Sequence, residues 1–491
     1  MKKTALFLFV MFAFTPLAFL SGCNSQEKLN SYMINLTYDA VNHTANVSSS
    51  IDYINLSSNA LSSIDFHLYP NAFSKAGEGM VVDSASFSKA YPNGASFGGI
   101  EISKVLVNGI EGEYSLSNPA DTLATVLLHE QLFPNETVKI EFDFSLTLPN
   151  VNHRFGYGDN FVNFANFYPI AAVYKDGEGF VKDAYISNGD PFFSDVANYS
   201  LSISYPKTFK LAASGDKMRT IENGKYLTTT FVSNKVRDVA FVLSDKFEKL
   251  NKKVGDVEVE YYYCLDTQPS ASLETAVRAM QFYSDSFGDY PYSSLAVVET
   301  GFVHGGMEYP RLVMISDAVK GEDVYYVIAH EVAHQWWYGV VGNDEFNEAW
   351  IDESLTEFST ALFFEHYSEY GINYLQLIDA ANSNYKFFLK TYEKILGEVD
   401  TSMARALDEF DTQPEYVNNI YTRGVLMYDA LRQDIGSKKL LKVLKGYYKQ
   451  FAYQNVSKEQ FIDYFSRAGG RKLNGFFESW LEGKVLFVVE G

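Results

Sequence analysis

The chain has 491 residues, 47% hydrophobic and 16% aromatic, enough for a sizeable core spread over two or three domains. Its formal net charge of −21, with no basic run, argues against nucleic-acid binding, because phosphate contacts need clustered Lys and Arg. The acidic balance suits a solvated surface, and the 35 Tyr and 39 Phe suit extensive β-structure.

The chain opens as a targeting segment. Lys2 and Lys3 form a positive start, residues 5–19 are apolar, and small residues follow. The stretch is too short, and too soon followed by polar sequence, for a transmembrane helix. Leu20-Ser21-Gly22-Cys23 resembles the lipobox of bacterial lipoproteins, in which the cysteine becomes the lipidated first residue. That resemblance implies a signal peptide over 1–22, a lipidated Cys23 with a spacer to residue 30, and a protein tethered outside the cytoplasm to a bacterial membrane; the alternative is an ordinary signal peptide with an incidental cysteine. With Cys23 so used, Cys264 has no disulfide partner within the chain.

Residues 31–252 read as an all-β domain, a saddle or sandwich. Residues 136–149 alternate strictly, with Val138, Ile140, Phe142, Phe144, Leu146 and Leu148 on one face. Residues 32–38, 45–54, 199–205 and 226–243 behave similarly. Turn clusters such as Pro92-Asn93-Gly94 and Ser187-Asn188-Gly189-Asp190 separate them.

From residue 253 the pattern turns mostly helical, after a strand at 257–264. Residues 271–287 carry helical apolar spacing, 294–300 read as a strand, and Gly305-Gly306-Met307-Glu308-Tyr309-Pro310 follows. Residues 327–358 read VIAHEVAHQWWYGVVGNDEFNEAWIDESLTEF. His330 and His334 are four apart, so on a helix they share a face about 6 Å apart at Cβ. With Glu331 between them this is H-E-x-x-H: two imidazoles for one zinc ion and a glutamate as general base. A third ligand is needed, and Glu353 follows an eighteen-residue gap, long enough to end one helix and start another beside it. The apolar residues before the motif and Trp336-Trp337 after it bury this helix, and buried imidazoles need partners. Glu357, one turn past Glu353, either bonds a zinc-binding imidazole or is a solvated helix carboxylate. His304 and His366 read as structural histidines, since the ligand set is complete without them. Residues 438–483 read as three helices.

Several of these stretches together resemble the aminopeptidase N family of zinc metallopeptidases. They are the order FANFYPIAAVY, DPFFSDVANYSLSISYP and AASG in residues 163–215, the Gly-Gly-Met-Glu segment, H-E-x-x-H with its downstream glutamate, and Tyr421-Thr422-Arg423-Gly424. The resemblance implies substrate contacts at Gly305, Gly306, Met307 and Glu308, the last binding a free α-amino group. It also implies an oxyanion-stabilising role for Tyr421, with Tyr416 a competitor lacking the Arg-Gly that follows. The family's Gly-x-Met-Glu-Asn has Tyr309 in place of its asparagine. Longer members continue into a helical domain that roofs the site, so a chain ending at Gly491 implies a more open cleft, or one roofed by a partner.

The expected whole is α+β: a β domain followed by a thermolysin-like domain over 253–491, with one zinc per chain. The expected activity is removal of N-terminal residues from peptides. A zinc endopeptidase and an inactive lipid-anchored binding protein remain alternatives. Asn163 and Asn166 are candidates for the specificity pocket, and the oligomeric state is open.

Overall fold

The computed structural model describes residues 28–117 and 119–487. The expected signal segment and Cys23 lie outside the described residues. Among them, no helix is long and apolar enough to cross a membrane.

The strictly alternating segment forms the strand Thr137–Thr147. All six of its apolar positions, including Leu148 just beyond it, are buried. It pairs antiparallel with Thr44–Ile54 on one side and Gly99–Val107 on the other. Register places Ile140 opposite Ile51 and Val107, so apolar side chains meet across three strands. These belong to an eight-stranded sheet ordered Asp216–Asn223, Tyr226–Val236, Ala197–Pro206, Asn30–Asp39, Thr44–Ile54, Thr137–Thr147, Gly99–Val107, Ile110–Glu111. Two four-stranded sheets and a two-stranded ribbon, Tyr174–Lys175 with Gly179–Phe180, make up the rest of the described β half.

One expected strand, 226–243, is in fact two, Tyr226–Val236 and Phe241–Ser244. The break has a physical reason. Arg237 and Asp238 leave the ladder and are buried, Arg237 at the interface between the halves and Asp238 against Asn166 and Tyr168 of the β half. The Arg237 guanidinium donates to the carbonyls of Tyr338 and Gln454, each at 2.8 Å, tying the β half to the helical half. Gly342 makes room for it, since a Cβ there would lie 2.2 Å from the Arg237 Cζ.

The second half is built on a five-stranded mixed sheet, Glu248–Val254, Val257–Tyr263, Ser294–Thr300, Leu312–Ser316 and Gly306–Met307. The edge strand Gly306–Met307 runs antiparallel to its neighbour, and the three central strands are parallel. Helices cover this sheet and follow it: Pro269–Phe287, Asp323–Ala333, Glu353–His366, Tyr374–Leu396, Arg423–Ile435, Ser437–Phe451, Lys458–Ala468 and Asn474–Leu481. Proline at the start and Gly288 after the end bound the first of them. One continuous buried apolar cluster runs through both halves, from Tyr32 to Leu481. The edge strand, the Asp323–Ala333 helix and the Glu353–His366 helix together frame the site.

Candidate active site

The helix Asp323–Ala333 buries Ile328, Ala329, Val332 and Ala333, which turns His330 and Glu331 to the opposite side. His334 caps its C-terminus. Glu353 is the first residue of the next long helix, where free N–H groups and the helix dipole favour a carboxylate. The two helices bring three donor atoms together. His330 Nε2 and His334 Nε2 are 3.2 Å apart, and Glu353 Oε2 lies 3.3 and 3.2 Å from them.

Tetrahedral zinc with donors at 2.0–2.1 Å requires donors roughly 3.3 Å apart, so the triangle fits the ion. The ring orientations agree. His330 Nδ1 lies 3.1 Å from Glu357 Oε2 and His334 Nδ1 lies 2.9 Å from the Trp337 carbonyl oxygen. Each Nδ1–H is thus held by an acceptor, and each Nε2 lone pair is left facing the centre. Two such lone pairs beside a carboxylate oxygen repel one another unless a proton or a metal cation sits between them. Glu357 therefore takes the imidazole-orienting role rather than that of a solvated carboxylate, and Tyr326 donates to its other oxygen.

Charge distribution follows from this crowding. Burial works against a charged His330, but Glu353 and Glu357 outweigh it and push the imidazole up to about 10 in the metal-free site. Burial opposes ionisation of Glu353 as well, and the His334 and His330 imidazoles override it, holding the carboxyl well below its usual range. Glu331 has no such bond. Its Oε2 is buried without a partner, and burial pushes the carboxyl up to about 7. A carboxyl near neutrality can take up or release a proton.

A cavity of about 380 Å³ opens beside these groups, large enough for a substrate side chain and its backbone. Its walls include Gly305, Gly306, Glu308, His304, Asp190 and Tyr421. Glu308 is buried, its Oε1 has no protein partner, and burial raises its carboxyl well above the usual range. One oxygen each from Asp190, Glu308 and Glu353 lies within 4.8 Å of the other two. An ammonium donating three bonds of about 2.8 Å in tetrahedral directions needs acceptors roughly 4.6 Å apart, so the three carboxylates can cage one.

Asp190 has no assigned role in the sequence, where it reads only as part of a turn. Its place is fixed by Arg154 of the β half, whose Nη2 lies 2.8 Å from its carboxylate. Arg154 is itself buried against the Phe192 ring, 4.8 Å from its centroid.

Tyr421 sits on one π-helical turn, Asn418–Thr422, and donates to Glu353 Oε1. Burial first, then the Glu353 charge, keeps its hydroxyl protonated. Gly424 explains the rest of the local pattern, since a Cβ there would lie 2.3 Å from Ser354 Oγ. Without a side chain at 424, the Tyr421 helix can lie against the helix of Glu353. Tyr416 packs edge-on against Tyr421 at 5.7 Å, further from the ligands.

Three expectations are corrected. Met307 is fully buried and does not wall the cavity, because strand alternation turns it away from the side on which Glu308 emerges. Asn163 and Asn166 do not wall it either. Asn163 bonds the His153 and Gly301 carbonyls and the Thr300 hydroxyl, and Asn166 bonds Asp238 and Tyr309. Tyr309 likewise turns away, its hydroxyl 2.7 Å from Asn166 Oδ1.

Residues 271–480 match the family described as the peptidase family M1 domain. They belong to peptidase family M1. The sequence resemblance to the aminopeptidase N family is thereby upheld. Endoplasmic reticulum aminopeptidase 2 of Homo sapiens is 23% identical over 70% of this chain and 37% of its own length. Aminopeptidase N of Lactococcus lactis subsp. lactis is 26% identical over 43% of this chain and 26% of its own length. The chain therefore spans well under half of these two relatives. The crystal structure of an M1 zinc metallopeptidase from Deinococcus radiodurans superposes with a TM-score of 0.67 at 18% identity, covering 94% of this chain and 96% of that one. The M1 fold extends over both halves.

Within the M1 domain, Gly306 faces the general-base candidate directly. A Cβ there would lie 2.3 Å from Glu331 Oε1 and 2.6 Å from its Cγ. Gly306→Ala is expected to push the carboxylate aside and lower kcat on the order of 10²-fold, as ångström-scale misplacement does. Zinc content, measured by metal analysis, is expected to stay unchanged, and undiminished turnover would contradict the placement of Glu331.

Proposed function

We propose that this protein is a zinc-dependent aminopeptidase, binding one zinc per chain and releasing N-terminal residues from peptides outside the cytoplasm. One observation carries the reading: a tetrahedral donor set and a three-carboxylate ammonium site share Glu353 and open into one cavity. A peptide amine held by Asp190 and Glu308 places the first peptide bond, and no later one, beside His330, His334 and Glu353. A solved M1 zinc metallopeptidase of the same fold is described as bound to the substrate Tyr-Ser-Ala.

Zinc held by the three ligands supplies Lewis acidity, activating water and polarising the scissile carbonyl. The chain's own residues do the rest. Glu331 accepts the proton from the attacking water and passes it to the leaving amine. Tyr421 swings its O–H from Glu353 to the developing oxyanion. Glu308, raised by burial while alone, ionises against the incoming ammonium and forms a charge-assisted bond. Glu357 and the Trp337 carbonyl hold the two imidazoles in the required tautomer. Attachment through a lipidated Cys23 is the reading that the N-terminal segment supports.

The test follows cleavage of one short peptide, free and N-acetylated, by the full chain and by residues 24–491. Stepwise release from the free form alone, with the full chain in the membrane fraction and the shorter one soluble, is the expected result. Internal cleavage of both peptides would make it an endopeptidase, and a soluble full chain would remove the anchor.

A further inference from the structure

Gln335 follows the second zinc-binding imidazole directly and is 1% exposed. Its amide is spent on main-chain groups of the segment that carries Glu308. Nε2 donates to the carbonyls of Glu308 and Tyr309 at 3.1 and 3.2 Å, and Oε1 accepts the Arg311 N–H at 2.8 Å. The backbone so gripped is unusual, since Arg311 has a φ of +66°. On the other flank the Tyr309 hydroxyl is anchored to Asn166 of the β half.

Glu308 Oε1 has no protein donor to hold it. Its place relative to the zinc ligands is therefore set largely by its backbone, and Gln335 is the side chain that joins that backbone to the His334 helix end. We propose that Gln335 is a positioning residue that fixes the distance between the Glu308 carboxylate and the zinc ligands, and so governs recognition of the free amine. The inference rests on Glu308 being the amine anchor. A buried glutamine serving only stability would lower affinity for every ligand alike. A ruler affects only ligands that use both ends of it.

The experiment compares calorimetric binding of leucine hydroxamate and its N-acetyl derivative to the zinc-loaded protein. Both can reach the zinc, and only the first carries an ammonium. The wild type is expected to prefer the free amine. In Gln335→Met the preference is expected to fall at least about tenfold, while the N-acetyl compound binds within about twofold of wild type and zinc stays bound. Gln335→Asn, which keeps the amide but shortens its reach, provides the same reading if the Met variant misfolds. An unchanged preference in both variants, equal weakening of both ligands, or loss of zinc would overturn the proposal. A wild type without any preference would instead remove Glu308 as the anchor, and the ruler with it.

Discussion

Replacing Glu331 by glutamine is expected to lower kcat by roughly 10²–10⁴ while leaving zinc content and fold intact. Gln keeps the shape of the side chain and removes its basicity. The site tolerates a neutral group there, because Glu331 Oε2 has no partner to lose and burial already disfavours its charge. The stability consequence has a definite sign. A carboxyl raised from its ordinary value to about 7 binds its proton more tightly in the folded metal-free protein than when unfolded. Stability is then lost as pH rises from about 4.5 through 7. At pH 8 metal-free Glu331→Gln should melt no lower than wild type, and calorimetry would show it. Activity runs the other way, since the base works only when ionised, so kcat/KM should fall on the acid side. Bound zinc favours the carboxylate and moves that limb below 7. A variant turning over within tenfold of wild type would remove Glu331 from the proton path.

The metal triad is legible because helical spacing dictates it. Residues four apart share a face, and an eighteen-residue gap suffices to return a third ligand on a second helix. The alternating strand at 137–147 is legible for the same reason, one period fixing one buried face. Asp190 is different. Nothing in Ser187-Asn188-Gly189-Asp190 distinguishes it from other turn clusters. Its role depends on a loop path through three dimensions and on Arg154, thirty-six positions earlier, to hold it. Gln335 is hidden differently, because its partners are main-chain atoms and main-chain partners leave no mark on residue types.

The errors are also physical. Asn163 and Asn166 look available in sequence, yet both are buried and bonded inside the fold, away from the cavity walls. Met307 could have been placed correctly by alternation alone, since it precedes Glu308 on an edge strand and the two must point to opposite sides. Tyr309 stands where the family has asparagine. In the fold it is an anchor to the β half, joined through Asn166 to Asp238.

Removing zinc is expected to abolish hydrolysis, and adding it back should restore the rate while releasing at least one proton per ion at pH 7. The second part follows from the geometry of the donor set. Without the ion, Glu353 and Glu357 hold His330 protonated against the effect of burial, up to about 10. Zinc binds only the neutral imidazole, so the ion must displace that proton. Its apparent affinity should therefore rise with pH across the neutral range, as the competing proton becomes scarcer. Calorimetric titration in buffers of different ionisation enthalpy measures the number released as the slope of observed heat against buffer heat. Glu357→Gln sharpens the test. It weakens the acceptor that orients His330 and helps charge it, so zinc affinity should drop about 10–100-fold. Fewer protons should then leave per zinc bound. Heats independent of buffer, or full hydrolysis by protein shown to be metal-free, would mean that His330, His334 and Glu353 are held together by their own hydrogen bonds and not for an ion.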